Sequence, residues 1–406
     1  MLKLVTLAWR NIWRNQRRTL ITISSIFFAV LLALFMRSMQ FGSYENMIRN
    51  SVEFYSGYIQ IHKKGYWENK SINKLLEETD SVKALVNTTQ NVHFYIPRLE
   101  SFVLAASDNL SKGAMVIGTG PEEENQMTRL ASKVIEGEYF TSGTRGVLIA
   151  QGLAEYLQLH LHDTLVLIGQ GYHGVNAVDM YPITGIIKLP NPQANNNMVY
   201  MPIVLAQEFN AAPDLLSAMV IKVNDIQSVQ QTTSQLQNTL GDSYEVMDWK
   251  SLQPELVQLI ESDNAGGVIM LGILYVVIAF GIFGTVIMMS MERTKEFGIL
   301  IAVGMQKLQL SFMIVLETIF IGLFGLGVSL TAGIPLLLYM HKNPIPLTGN
   351  AAEAMLKMGV EPIVPFSLEP NIFITQCLAI LVIVVICLVY PVWNIYQLKI
   401  IETMKR

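Results

Sequence analysis

The amino-acid sequence predicts an α-helical membrane protein with four transmembrane helices and a large α+β extracytoplasmic domain inserted between helices 1 and 2. Three observations carry that prediction. Apolar runs at residues 20–36, 266–289, about 310–338 and 372–390 come close to or exceed the ~18 apolar residues of a membrane span. The stretch from about 52 to 250 instead alternates short β-rich runs with helical ones. Composition agrees: 51% hydrophobic and 15% charged residues, with a mean hydropathy of +0.38, are too apolar for a soluble domain and too charged for a chain wholly in the bilayer.

The chain opens on a basic segment, 1–19, where Lys3, Arg10, Arg14, Arg17 and Arg18 alternate with Leu4, Leu7, Ala8, Ile12 and Trp13. That is the pattern of an amphipathic helix on the membrane surface, with Trp9 and Trp13 at headgroup level. Transmembrane helix 1 follows at 20–41. A signal peptide shares the basic start and apolar core, but no small-residue cleavage site follows the run, which favours a retained anchor. Ser25, Ala29 and Ala33 recur every four residues, a stripe that lets another helix approach closely. The helical spacing of Met39, Tyr44, Met47, Ile48 and Val52 continues as a stalk.

The α+β domain with its stalk helices occupies 42–264. β-rich runs fall at 55–62, 92–106, 114–119, 146–150, 164–168, 181–188, 198–201 and 217–223, and helices at 69–88, 123–136, 152–159, 202–209 and 226–240. His160 and His162, without a cysteine or a third partner, read as surface residues and not as a metal site. Residues 248–261 lead helically into transmembrane helix 2 at 265–291. A segment at 292–309 joins it to helix 3, at 310–339, where Gly322, Gly325, Ser329 and Gly333 form a second small-residue stripe and Pro335 marks the outer end. A loop at 340–371, helix 4 at 372–391 ending on Pro391, and a tail at 392–406 complete the chain. Cys377 and Cys387 lie ~15 Å apart along one helix, too far for a bridge.

Basic residues orient the spans. The N-terminal segment, the 291–309 connection (Arg293, Lys295, Lys307) and the tail (Lys399, Lys405, Arg406) fall on one side, which is then cytoplasmic, while the 340–371 loop holds only Lys342 and Lys357. The large domain is therefore outside. It carries acidic clusters, Glu122 to Glu124 and the pair Glu136 and Glu138, which argue against nucleic acid as a partner.

The most informative stretch runs from Met291 to Met305. Glu292, Arg293, Lys295 and Glu296 open it, and Phe297, Leu300, Ile301 and Met305 follow at helical spacing. This is an amphipathic segment between two spans, placed to push on both, although periodicity alone fits an ordinary connecting loop equally well. The stretch resembles the "ER-x-REFGILRALG" segment of the FtsX/MacB-type ABC permeases, with Ile301 where that family often has a basic residue. Residues 147–165 resemble the family's "VLIG-x-x-LA…LGL-x-x-GD-x-V" element, with His162 in place of a glycine. Residues 181–187 and 198–206 resemble "V-x-GIF…Y-x-P-x-x-x-AQ". The approach from Asp248 to Glu261 is similar to the "W-K-x-L-x-P-E-L" of the lipoprotein-releasing branch. The stretch from Tyr390 to Met404 resembles the terminal "YPA-x-RAA-x-L-x-P-x-EALR", with Asn394 for an arginine.

The resemblance implies a non-catalytic permease subunit in the bacterial inner membrane, its large domain in the periplasm. It implies a dimer of cytoplasmic ABC ATPase subunits that bind ATP and Mg, no cofactor in this chain, and a second permease subunit, identical or paralogous. A lipoprotein drawn from the membrane lipids would be the substrate and a periplasmic carrier its recipient. Export of small hydrophobic molecules or peptides, as by MacB, and mechanotransmission to a cell-wall hydrolase, as by FtsX, are the alternatives. By the resemblance Glu292, Arg293, Lys295, Glu296, Phe297, Leu300 and Met305 form the cytoplasmic coupling helix on the ATPase.

Read from the residues alone, no phosphate-binding loop occurs, since Gly118-Thr-Gly120 lacks the following lysine, and no catalytic or metal-binding constellation stands out. Met36, Met39, Met47 and Met270 offer flexible, polarizable side chains suited to acyl chains, though packing between helices is the plainer reading. Glu317 is an acid within a span, ~10 Å from its inner end. A charge at mid-bilayer costs about 2.5–3.5 kcal/mol, so Glu317 is either a polar switch at a helix interface or a paired residue near the inner surface.

Overall fold

The structure, a computed structural model, describes residues 2–14, 16–52, 56–357 and 362–397. The side chains of Lys3, Arg18 and Lys357, and the tail residues Lys399, Glu402, Lys405 and Arg406, lie outside the described residues. The chain divides into two compact units.

The first unit comprises Met1–Glu45, Leu259–Ile345 and Val364–Arg406. Its helices are α1 (Leu2–Arg14), α2 (Gln16–Ser51), α3 (Pro254–Glu292), α4 (Thr294–Ala302), α5 (Lys307–Lys342), α6 (Pro370–Cys387) and α7 (Val389–Gln397). Among the described residues, 4 helices are long and apolar enough to cross a membrane. At ~1.5 Å per residue, α2 and α3 are roughly 54 and 58 Å long, well beyond a hydrocarbon layer of ~30 Å. The break between α1 and α2 is tied by Thr19, whose Oγ1 donates to the Ile12 carbonyl at 2.8 Å. Ile26, Val30 and Leu34 of α2 share a core with Ile278 and Ile282 of α3, Ile321 of α5 and Ile380 of α6.

The glycine stripe of α5 is where this packing is closest. A Cβ at Gly325 would stand 2.6 Å from Ile26 Cγ2, and one at Gly322 would stand 3.3 Å from Val384. In α2, Ala29 and Ala33 are buried, but Ser25 is exposed and donates to its own helix at the Ile21 carbonyl. Two prolines depart from expectation. α5 runs through Pro335 to Lys342, because one lost hydrogen bond inside a packed membrane helix is tolerated. The fourth span breaks before Pro391, which then lies inside α7. Pro391 has no N–H for the Cys387 carbonyl one turn earlier, so the regular ladder stops there.

The second unit comprises Asn46–Gln258 and Pro346–Ile363. It is built on a ten-stranded sheet. The strands are β1 (Ile59–Lys63), β2 (Val92–Ala106), β3 (Ser111–Thr119), β4 (Val134–Gly137), β5 (Val147–Ala150), β6 (Thr164–Gln170), β7 (Asn176–Ile187), β8 (Met198–Pro202), β9 (Ala218–Val223) and β10 (Tyr244–Asp248). Their order is β10-β1-β9-β2-β3-β8-β5-β7-β4, with β6 paired to β2 and β7. The β3–β8 and β5–β7 pairs are parallel and the others antiparallel. β2 organises the sheet: its first half pairs β9 through Ile96↔Val220, and its second half pairs β3 and β6 through Val103↔Ala114 and Leu104↔Ile168. Helices at Asp80–Thr88, Pro121–Thr128, Gln151–Leu157, Ile203–Phe209 and Val229–Leu240 accompany it.

Several boundaries differ from the pattern in the sequence. The helix expected at 123–136 ends at Thr128, because Arg129 takes the left-handed conformation (φ 54), and its last residues belong to β4. The helix expected at 69–88 is regular only from Asp80, where the Thr79 side chain caps it by accepting from the Val82 N–H. β10 was not foreseen. It pairs β1 with Ile61 opposite Val246. His162, which replaces a glycine of the resembling motif, keeps glycine's backbone with φ 72.

Candidate functional site

The strongest concentration of buried charge in the first unit lies where α1, α4 and α5 meet. Glu317 of α5 is 1% exposed. Its Oε2 accepts from Arg293 Nη1 at 2.5 Å and its Oε1 from Asn11 Nδ2 at 2.6 Å. Arg293, in the one-residue link between α3 and α4, also donates from Nε to Glu296 Oε2 at 3.2 Å. That same oxygen accepts from Arg14 Nη2 at 2.5 Å. Asn11 and Arg14 are three residues apart on α1, so the circuit closes: Asn11, Glu317, Arg293, Glu296, Arg14. Two guanidinium and two carboxylate groups balance in charge, which makes the burial of Glu317 and Arg293 tolerable. Burial acts to raise the Glu296 carboxyl, and the hydrogen bonds from Arg14 and Arg293 outweigh it and hold that carboxyl below its ordinary range.

An apolar plug adjoins the circuit. Phe297 is buried with Ala8 of α1, Leu310, Met313 and Ile314 of α5, and Ile395 of α7, and Ile301 and Met305 pack against this cluster. The Arg293 guanidinium stands 5.3 Å from the Phe297 ring centre. On α1, Trp9 packs its ring on Phe320 and Phe324 of α5 at 6.0 and 5.5 Å. Phe297 therefore does not project outward as expected; it anchors α4 to its own chain. Ile299 and Val303, on the opposite side of α4 and its C-cap, and Leu300, between Val303 and Phe297 around the helix, are 57%, 83% and 36% exposed. Glu292 and Lys295 are exposed as well. The arrangement holds no nucleophile or acid–base pair aimed at a cavity. What it can do is transmit force, because a displacement of α4 acts on α1 and α5 through charge-assisted bonds and on α3 through the chain.

Residues 268–400 match the FtsX-like permease C-terminal family. The chain carries an FtsX-like permease domain. The chain is also similar to the lipoprotein-releasing system transmembrane protein LolC of Neisseria meningitidis serogroup B, with 20% identity over 326 residues, covering 78% of this chain and 76% of that protein. An uncharacterized ABC transporter permease of Methanocaldococcus jannaschii is 26% identical over 161 residues, 38% of this chain and 40% of that protein. Among solved structures, the periplasmic region of MacB from Actinobacillus actinomycetemcomitans aligns with a TM-score of 0.37 at 12% identity, covering 53% of this chain and 97% of that one. The extracellular domain of the ABC-type transporter YknZ from Gram-positive bacteria gives 0.35 at 14% identity, covering 47% and 100%.

The permease's matched segment contains Arg293, Glu296 and Glu317 but neither Asn11 nor Arg14. Sequence reasoning placed Arg14 only at the membrane surface and did not single out Asn11; their three-residue spacing, next to the apolar Ala8 and Ile12, was the available signal. The methionines of the first unit differ in their surroundings. Met39 packs on the bundle core of the first unit, Met36 is half-buried, Met270 is 56% exposed, and Met47, half-buried, belongs to the second unit.

Proposed function

We propose that this permease is the non-catalytic membrane subunit of an ABC transporter. In this reading a separate cytoplasmic ATPase hydrolyses ATP with Mg, and the transporter extracts lipoproteins from the bacterial inner membrane for a periplasmic carrier. The observation that carries the coupling role is the two-sided α4. One side is locked to α1 and α5 by the charged circuit and the Phe297 plug, and the other offers Ile299, Leu300 and Val303 to a partner. Apolar side chains on an exposed connection between two spans cost solvation unless something covers them. The likeness to LolC over most of both chains supports lipoprotein as the substrate.

In this reading the second unit lies outside the cytoplasm, a second permease subunit completes the membrane part, and Met36, Met39, Met47 and Met270 border the path of the acyl chains. A cysteine at Asn195 should then label from the periplasmic side of oriented vesicles, and one at Thr294 should not. The function itself is tested by copurification from crosslinked membranes. A photo-crosslinker at Met39 or Met47 should capture a triacylated protein that ATP releases when the ATPase is present. Capture of a small hydrophobic molecule or of a cell-wall hydrolase would replace the lipoprotein reading. Adducts confined to the permease's own helices, in an active assembly, would assign these methionines to packing.

A further inference from the structure

We infer that Arg37 is a preformed site for the phosphate of an anionic phospholipid headgroup. The inference rests on the reading that α2 crosses the membrane, because Arg37 directly follows the apolar run at 20–36. A cation there sits where hydrocarbon gives way to headgroups.

The geometry is specific. The half-buried guanidinium uses one corner twice: Nη1 donates to Gln40 Oε1 at 2.7 Å and to Asn264 Oδ1 at 2.9 Å. Both acceptors are neutral amide oxygens, and Asn264 lies on α3, so the group is pinned from two helices. The Phe41 ring centre lies 4.7 Å from Cζ. The opposite edge, Nε with Nη2, has no partner among the described residues. That edge grips a phosphate or carboxylate side-on through two parallel hydrogen bonds. Asp263, the neighbour of Asn264, is engaged elsewhere: its Oδ2 accepts from Tyr44 Oη at 2.6 Å and from Gln40 Nε2 at 3.2 Å. Arg98 and Arg293, by contrast, each meet a buried carboxylate. Arg37 is thus oriented, and no acid among the described residues pairs with it directly; Asp263 is reached only through Gln40.

The surroundings select the occupant. The helix that carries Asn264 continues with Val268, Ile269, Met270 and Ile273, all more than half exposed, an apolar surface for acyl chains. Anionic head and apolar body together describe an amphiphile. Zwitterionic headgroups bring their own cation to the phosphate, so Arg37 favours a head of net negative charge.

The test is native mass spectrometry of lipids retained by the full chain after equilibration in vesicles of equal parts phosphatidylglycerol and phosphatidylcholine. The wild type should enrich phosphatidylglycerol about fivefold, the effect of one basic residue near an anionic surface. Arg37→Gln should return the ratio to that of the vesicle. Arg37→Lys, which keeps the charge that sets this magnitude and loses only the fork, should retain part of the enrichment and so guards against misfolding of the first variant. Asn264→Ala should weaken it, and Arg17→Gln should not. Unchanged enrichment in Arg37→Gln overturns the proposal. Displacement of the lipid by millimolar inorganic phosphate overturns it too, by making the site one for free phosphate. A failed orientation test would not mimic either result, because this ratio reports which head Arg37 holds and not which leaflet it faces.

Discussion

Removing the Arg293 side chain should harm the permease more than neutralising Glu317, and the two changes together should cost less than their sum. In Arg293→Met, Glu317 stays 1% exposed with Asn11 as its remaining partner at 2.6 Å. Breaking a buried pair in this way typically costs about 3–5 kcal/mol. In Glu317→Gln, Arg293 keeps Glu296 at 3.2 Å and the Phe297 ring at 5.3 Å, and Gln still accepts from Asn11. The loss is then near that of one charged hydrogen bond, about 1.5–3 kcal/mol. The double variant removes both buried charges at once, so the pair should show a coupling energy of at least ~2 kcal/mol, within the range of contacting residues. The assay is unfolding of the purified permease in mixed micelles against rising dodecyl sulfate, followed by the fluorescence of Trp9 and Trp13, which pack on Phe324. Additivity within about 0.5 kcal/mol would refute the argument that the two charges depend on each other.

Three further outcomes separate folding from coupling. Phe297→Ala should destabilise the permease by about 3–5 kcal/mol, as loss of a buried aromatic does, whereas Leu300→Asp should leave unfolding unchanged and abolish stimulated ATP hydrolysis in the assembly with its ATPase. In the second unit, Glu124→Gln should cost about 3–5 kcal/mol in the same unfolding assay. It takes the carboxylate charge away from Arg98, a fully buried guanidinium whose Nε and Nη2 reach the two Glu124 oxygens at 3.0 and 2.8 Å. His62 predicts a pH dependence: burial lowers its pKa to about 4, the Ser217 carbonyl opposes that shift, and Lys70 adds to it. The unfolded imidazole binds its proton first, so the stability His62 confers is complete above about pH 6.5 and is lost progressively down to pH 4. The total is ~3 kcal/mol, and unfolding curves of His62→Phe should lack this contribution across that window.

The parts of this fold legible in the sequence are those whose cause is local. β2 was read at its true bounds, 92–106, because fifteen residues of strand pattern leave little room for error. Glu317 stood out because a carboxylate in an apolar run needs a local explanation. Its partners were legible only in part. Arg293 lies 24 residues away in the adjoining segment, but Asn11 and Arg14 reach their acids across 306 and 282 residues. The basic character of α1 already had a sufficient local account at the membrane surface. Glu124 failed for the same reason: three consecutive glutamates read only as an acidic cluster, while the third is fully buried on Arg98. β10 failed because none of its residues is fully buried, so it carried no core pattern.

The α4 stripe makes the general point. Helical spacing shows that an apolar face is covered, without saying by what. Phe297, Ile301 and Met305 turn out to be covered by the chain's own α1, α5 and α7. At ~100° per residue, Ile299 and Val303 project nearly opposite Phe297, with Leu300 midway between Val303 and Phe297. A helix that served only its own bundle would carry polar residues there. Apolar residues on both sides of so short a helix are what a second covering surface, as proposed above, requires. The covering surface shown by Phe297 is in this chain, and the proposed second one is what Leu300→Asp is designed to test.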